Sequence, residues 1–165
     1  MISNILIKLF PYVFVIFFTY LEAAPIYFFE NELVKPLMTF TVIYCWIQHD
    51  SQQFRPLWLL FFGLFYDFLK DGIVGVTPLF FLTMYHFKNN NLSFFITFFF
   101  NNIWIKFIII LFIYFLFLLL TNLFFENQTY GFSKNLVSLV ISAIIFPLFY
   151  SMIQRLSLLF GRIND

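Results

Sequence analysis

From Ile103 to Phe124 the chain runs as one apolar stretch with a single charge, Lys106, inside it. About 20 helical residues of this kind cross the roughly 30 Å hydrocarbon core of a bilayer. Similar stretches recur along the whole chain, separated by short polar breaks: ENE (30–32), QHDSQQ (48–53), KDG (70–72), KNNN (88–91) and ENQTYGFSKN (126–135). The spacing predicts six spans, approximately 5–29, 33–48, 55–70, 73–87, 103–124 and 136–158, with 92–102 as an interfacial segment or helical extension. Spans 2, 3 and 4 are shorter than a bilayer is thick, which predicts extension through polar flanks, local thinning or packing inside the bundle.

Composition supports the same class. Hydrophobic residues make up 62% of the 165 and charged residues 10%, where a soluble domain carries about 25% charged. Too little polar surface remains to cover so large an apolar content as a buried core. Without the polar–apolar alternation of barrel strands, helices are the structures that satisfy their own backbone in hydrocarbon. The expectation is an all-α, polytopic membrane protein: one transmembrane domain, 1–165, with six helices in one compact bundle. Thirty phenylalanines read as a compositional bias among apolar residues. Cys45, the one cysteine, reads as a buried, inert thiol. A net charge of +1 gives nucleic-acid binding no electrostatic support.

The first span reads as an uncleaved signal anchor, because Glu22 and Pro25 flank the small residues where a signal peptidase would cut. With the N-terminus inside, Lys8, Arg55, Lys88, Lys106, Arg155 and Arg162 fall on the inner side, and Lys35, Lys70 and Lys134 on the outer. The excess of basic residues places both termini in the cytoplasm. Asn91-Leu92-Ser93 and Asn127-Gln128-Thr129 match the glycosylation acceptor pattern by chance.

Asp67 is the charge that most needs explaining. An aspartate at the centre of a spanning helix costs about 2.5–3.5 kcal/mol, and less near the interface. One reading has it reach the surface, hydrated or paired with Lys70. The other turns it into the bundle, bonded to another helix or to a loop backbone. Gly63, four residues back on the same face, lets a neighbouring helix approach closely. Gly72 and Gly75 make the following turn compact. The stretch therefore reads as a structural corner, and span 3, the turn and the start of span 4 as the candidate partner-binding surface.

The pattern Gly63-x3-Asp67-x7-Gly75 resembles the rod shape-determining protein MreD family. So do Lys35-Pro36 opening span 2, Trp46 ten residues after that proline, and Pro147 in a last span that ends in basic residues. Lys35 stands where that family usually has arginine. The resemblance covers essentially the whole chain. It implies a non-enzymatic inner-membrane component of the bacterial cell-wall elongation complex that binds MreC. Through MreC it would support the MreB filament, a RodA-type polymerase and a penicillin-binding transpeptidase in peptidoglycan synthesis. It also implies a fold similar to the six-helix substrate-binding subunits of energy-coupling-factor vitamin transporters.

The residues themselves offer little catalytic machinery. His49 and His86 lie at loop edges without a neighbouring nucleophile. No cluster of metal-ligating residues and no phosphate-cradling glycine loop is visible, so neither cofactor nor metal is expected. An intramembrane aspartyl peptidase needs aspartates on two helices, and Asp67 and Asp71 belong to one helix end and its turn. A vitamin-binding transport subunit is the alternative function. Its usual Ala-x3-Ala docking surface is missing, since the alanines are Ala23, Ala24 and Ala143.

Overall fold

The computed structural model describes residues 2–25, 27–28, 31–32, 34–49, 54–70, 73–89, 103–125 and 132–161. Among these are six α-helices: α1 (Ile2–Ala23), α2 (Met38–His49), α3 (Pro56–Leu69), α4 (Val76–Asn89), α5 (Ile103–Phe125) and α6 (Phe132–Gly161). Two strands of two residues each, β1 (Tyr27–Phe28) and β2 (Asn31–Glu32), pair antiparallel between α1 and α2. By length and composition, Ile103–Leu120 in α5 and Ser133–Leu156 in α6 are long and apolar enough to cross a membrane. Leu9–Ala23 and Pro56–Leu69 are shorter apolar helices.

The observed ends differ from the spacing-based ones in two instructive places. α1 stops at Ala23 rather than continuing to 29, because Pro25 lacks the N–H that a further helical turn requires and Ala24 precedes it; the chain then reverses through the β1–β2 hairpin. α2 begins at Met38, not at Lys35-Pro36. Pro36 lies before the helix, and its carbonyl accepts the Met38 N–H at 2.9 Å. Residues 92–102, Gly72 and both glycosylation tripeptides lie outside the described residues.

α2 is the centre of the fold. Every residue from Thr39 to Ile47 is buried, as expected of a helix enclosed on all sides. It packs against α1, α4 and α6. Phe40 and Tyr44 project from it into two aromatic clusters. Phe40 meets Phe81 of α4 at 4.9 Å and Tyr114 of α5 at 4.4 Å between ring centroids. Tyr44 meets Phe107 of α5 at 5.2 Å and Phe146 of α6 at 5.8 Å, and those two rings stack on each other at 4.4 Å. Such offset and edge-on pairs add about 0.5–1.5 kcal/mol each beyond the area they bury. The phenylalanine bias thus supplies the core as well as the outer surface, where Phe17, Phe61, Phe68 and Phe112 are exposed.

The central helices are short. At 1.5 Å per residue, the 12 residues of α2 span about 18 Å and the 14 residues of α3 and of α4 about 21 Å. The first turns of α2 and α4 are buried, at Thr39 and at Val76 and Thr77, and there the unpaired amides of a helix start need partners from the protein itself. The approach to α2 is tied to α6: Ser142 Oγ accepts the Leu37 N–H at 2.6 Å, and Ser138 Oγ donates to the Lys35 carbonyl at 2.5 Å. α5 joins α6 through the Trp104 indole N–H, which donates to the Ala143 carbonyl at 2.8 Å.

α3 and α4 form the closest pair. A Cβ built on Gly63 of α3 would lie 2.5 Å from both Cα and N of Pro78 in α4. The obstruction is backbone, so it cannot swing aside. Overpacking of this kind costs about 1–3 kcal/mol. Gly63→Ala is expected to lower the melting temperature of the detergent-purified chain clearly, while Leu148→Ala, at a 65% exposed position, leaves it nearly unchanged. Equal melting of both variants would show that α3 and α4 are not held this tightly.

Candidate functional site

At one end of the bundle α1, α2, α3 and α4 meet around two buried carboxylates. Glu22 sits in the last turn of α1, and Asp67 in the last turn of α3; each is 3% exposed. Both bond to the start of the next helix along the chain.

Glu22 Oε2 accepts the Thr39 N–H and the Thr39 hydroxyl, both at 2.9 Å. A carboxylate at this place satisfies an orphan amide of α2 and faces the positive end of its dipole. Glu22 Oε1 accepts the Tyr66 hydroxyl and the Lys70 ammonium, both at 2.7 Å. Four donors thus occupy the four lone-pair positions of a carboxylate. The Glu22 side chain is fully buried, and that of Lys70 is 34% exposed. A buried charge is tolerated when it is paired and its remaining lone pairs are filled, and Glu22 meets both conditions. Lys70 also lies over the Tyr66 ring, 5.2 Å from its centroid.

Asp67 is turned inward. Its Oδ2 accepts the Gly75 N–H at 2.8 Å, and Thr77 lies beside the same carboxylate. Gly75 has φ +104°, a conformation that glycine adopts at no steric cost. Nothing lies within 4 Å of where its Cβ would be, so the backbone conformation alone favours glycine there. Asp67 thereby holds the beginning of α4 against the end of α3, at the same pair of helices that Gly63 brings together.

Gly63, Asp67 and Gly75 therefore share one corner, and Lys70 pairs with Glu22 in preference to Asp67 three residues away. Lys35 and Pro36 lie close to this end of the fold. The Lys35 ammonium is 3.2 Å and 3.4 Å from the carbonyls of Glu22 and Leu21, a favourable place for a cation at the end of α1. Trp46 and Pro147 are elsewhere. Trp46 is buried near the far end of α2, with its ring 6.5 Å from Phe54 and its indole N–H without a hydrogen-bond partner among the described residues. Pro147 lies within α6 beside the stacked Phe146. Cys45 is buried, while His49 and His86 are exposed. Among the described residues no three of His, Cys, Asp and Glu converge.

Glu22 is the residue that sequence reasoning left without a role. Its signal was present: a lone acid closing an apolar helix whose polar partners, Thr39, Tyr66 and Lys70, are spread over the next 48 residues.

A cavity of about 120 Å³ opens beside the corner. Asp67, Lys70 and Tyr66 line one side, Asn135 and Ser138 of α6 another, and Leu111, Tyr114 and Phe115 of α5 the remainder. No family model, curated protein or solved structure matches the chain.

Breaking a buried ion pair by removing one member costs about 3–5 kcal/mol; the partial exposure of Lys70 reduces this to about 1–3 kcal/mol. Lys70→Met, which leaves the fully buried Glu22 without its cation, is expected to destabilise the chain by that amount, and Glu22→Gln, which leaves the partly exposed Lys70 to solvent, by less. The double variant should be more stable than the sum of the single effects, measured by thermal unfolding in detergent. Strict additivity would show that the pair contributes no coupling.

Proposed function

We propose that this chain is a non-enzymatic scaffold of the MreD type, spanning the bacterial inner membrane six times with both termini in the cytoplasm. In this reading it binds MreC and so supports the MreB filament, the RodA-type polymerase and the penicillin-binding transpeptidase during peptidoglycan synthesis. The observation that carries the proposal is the locked corner: Gly63 against Pro78, Asp67 on Gly75, and Glu22 on Thr39, Tyr66 and Lys70. The residues behind the family resemblance, Gly63-x3-Asp67-x7-Gly75, lie together at the α3–α4 corner, which supports the reading.

The chemistry of the corner suits holding better than turnover. The hydrogen bonds of Glu22 and Asp67 run to groups of the chain itself, and they fix helix ends relative to one another. A rigid surface loses little entropy when a partner docks. Close packing, not expulsion of water, drives association between helices in a bilayer, so the surface at α3 and the start of α4 has to keep one shape. The apolar side chains Leu57, Leu60, Phe61 and Phe68 of α3 are exposed and lie on that surface.

Asp67→Leu is expected to insert and accumulate at the normal level but to lose MreC on affinity purification, and cells relying on it should lose rod shape. Full recovery of MreC and normal shape with Asp67→Leu would refute the assignment. Co-purification of an ATPase module instead of MreC would favour the transport-subunit reading.

A further inference from the structure

We propose that the cavity beside Asp67 and Lys70 is a binding site for a small zwitterion, an α-amino acid with a short apolar side chain. This inference is independent of the scaffold role, since it concerns the interior of the corner and not the surface offered to a protein partner.

The charges come first. The cavity wall carries one formal anion, Asp67, and one formal cation, Lys70. They are three residues apart on α3, which puts them on one face a helical turn apart. Glu22, paired with Lys70 at 2.7 Å, stands just behind this wall. A net-neutral occupant leaves the one-to-one balance of the wall intact, whereas a lone cation or a lone anion would disturb it in a poorly hydrated place.

Hydrogen-bonding capacity comes next. Asp67 accepts one neutral hydrogen bond, from Gly75, and has no ion-pair partner among the described residues. Acceptor positions on its carboxylate therefore remain for a ligand. Lys70 has three donors, and one goes to Glu22. An ammonium on the Asp67 side and a carboxylate on the Lys70 side complete both sets. Tyr66, already beneath one ammonium at 5.2 Å, adds an aromatic wall.

Size and lining set the rest of the ligand. A cavity near 150 Å³ holds a six-membered ring of carbon, so about 120 Å³ suits roughly six heavy atoms. Leu111, Tyr114, Phe115 and Leu118 give the far wall an apolar surface, which favours a methyl or similar group over water alone. Alanine meets the three requirements of charge, length and apolar tip.

The test is equilibrium dialysis of radiolabelled alanine against the full chain in detergent. Saturable binding of one alanine per chain is expected, at least about tenfold tighter than propionate or ethylamine, because each analogue forfeits one charge-assisted hydrogen bond. Leu118→Trp, which fills the apolar side, should abolish binding while the melting temperature stays near that of the wild type. Asp67→Asn, which retains an acceptor for Gly75, should weaken alanine at least about tenfold and leave propionate unchanged. Absence of saturable alanine binding to the wild type would overturn the proposal outright, and so would propionate or ethylamine binding as tightly as alanine. Alanine binding that survives in folded Leu118→Trp would place any such site elsewhere and equally overturn it. None of these negative results bears on MreC capture, so the scaffold reading would stand or fall separately.

Discussion

A helix that starts inside a protein leaves amides with nowhere to go, and the rest of this structure is arranged around that fact. The first turns of α2 and α4 are buried, at Thr39 and at Val76 and Thr77. The start of α2 is met by Glu22 from α1 and Ser142 from α6, and the start of α4 by Asp67 from α3. In each case the polar group comes from a different helix, so satisfying the backbone also fixes one helix against another. The buried carboxylates are therefore joints of the fold, and their cost is offset by the bonds they complete.

The aromatic core and the polar corner divide the work. Phe40, Tyr44, Phe107 and Phe146 give the interior its volume, but rings packed on rings tolerate sliding and rotation. Hydrogen bonds of 2.7–2.9 Å at Glu22 tolerate much less. The close seat of Gly63 on Pro78 removes the remaining freedom between α3 and α4. Together they fix the shape of the corner beside an apolar exterior.

Much of this was legible in the residues. The apolar stretches marked the helices, and the break at 70–72 falls between α3 and α4, whereas α2 runs into the break at 48–53 as far as His49 and α6 begins inside the break at 126–135, at Phe132. Gly63 and Asp67 stood out because glycine and aspartate are costly inside an apolar helix unless something requires them. What sequence could not supply was the choice among partners. Lys70, three residues from Asp67, is the natural local mate by spacing, yet it pairs with Glu22, 48 residues away. A local rule lost to a tertiary contact that fills every lone pair of a fully buried acid. The hairpin after α1 escaped notice for a related reason: its strands are two residues each, too short for any alternation to show. The burial of α2 on all sides was equally hidden, because an enclosed helix and a lipid-facing one present the same apolar pattern.

That enclosure has a consequence for how the chain is made. A helix of about 18 Å surrounded by protein depends on outside groups for its first amides. One of those groups, Ser142 Oγ of α6, accepts the Leu37 N–H across 105 residues of sequence, so the second helix is fully seated only once the sixth described helix is in place.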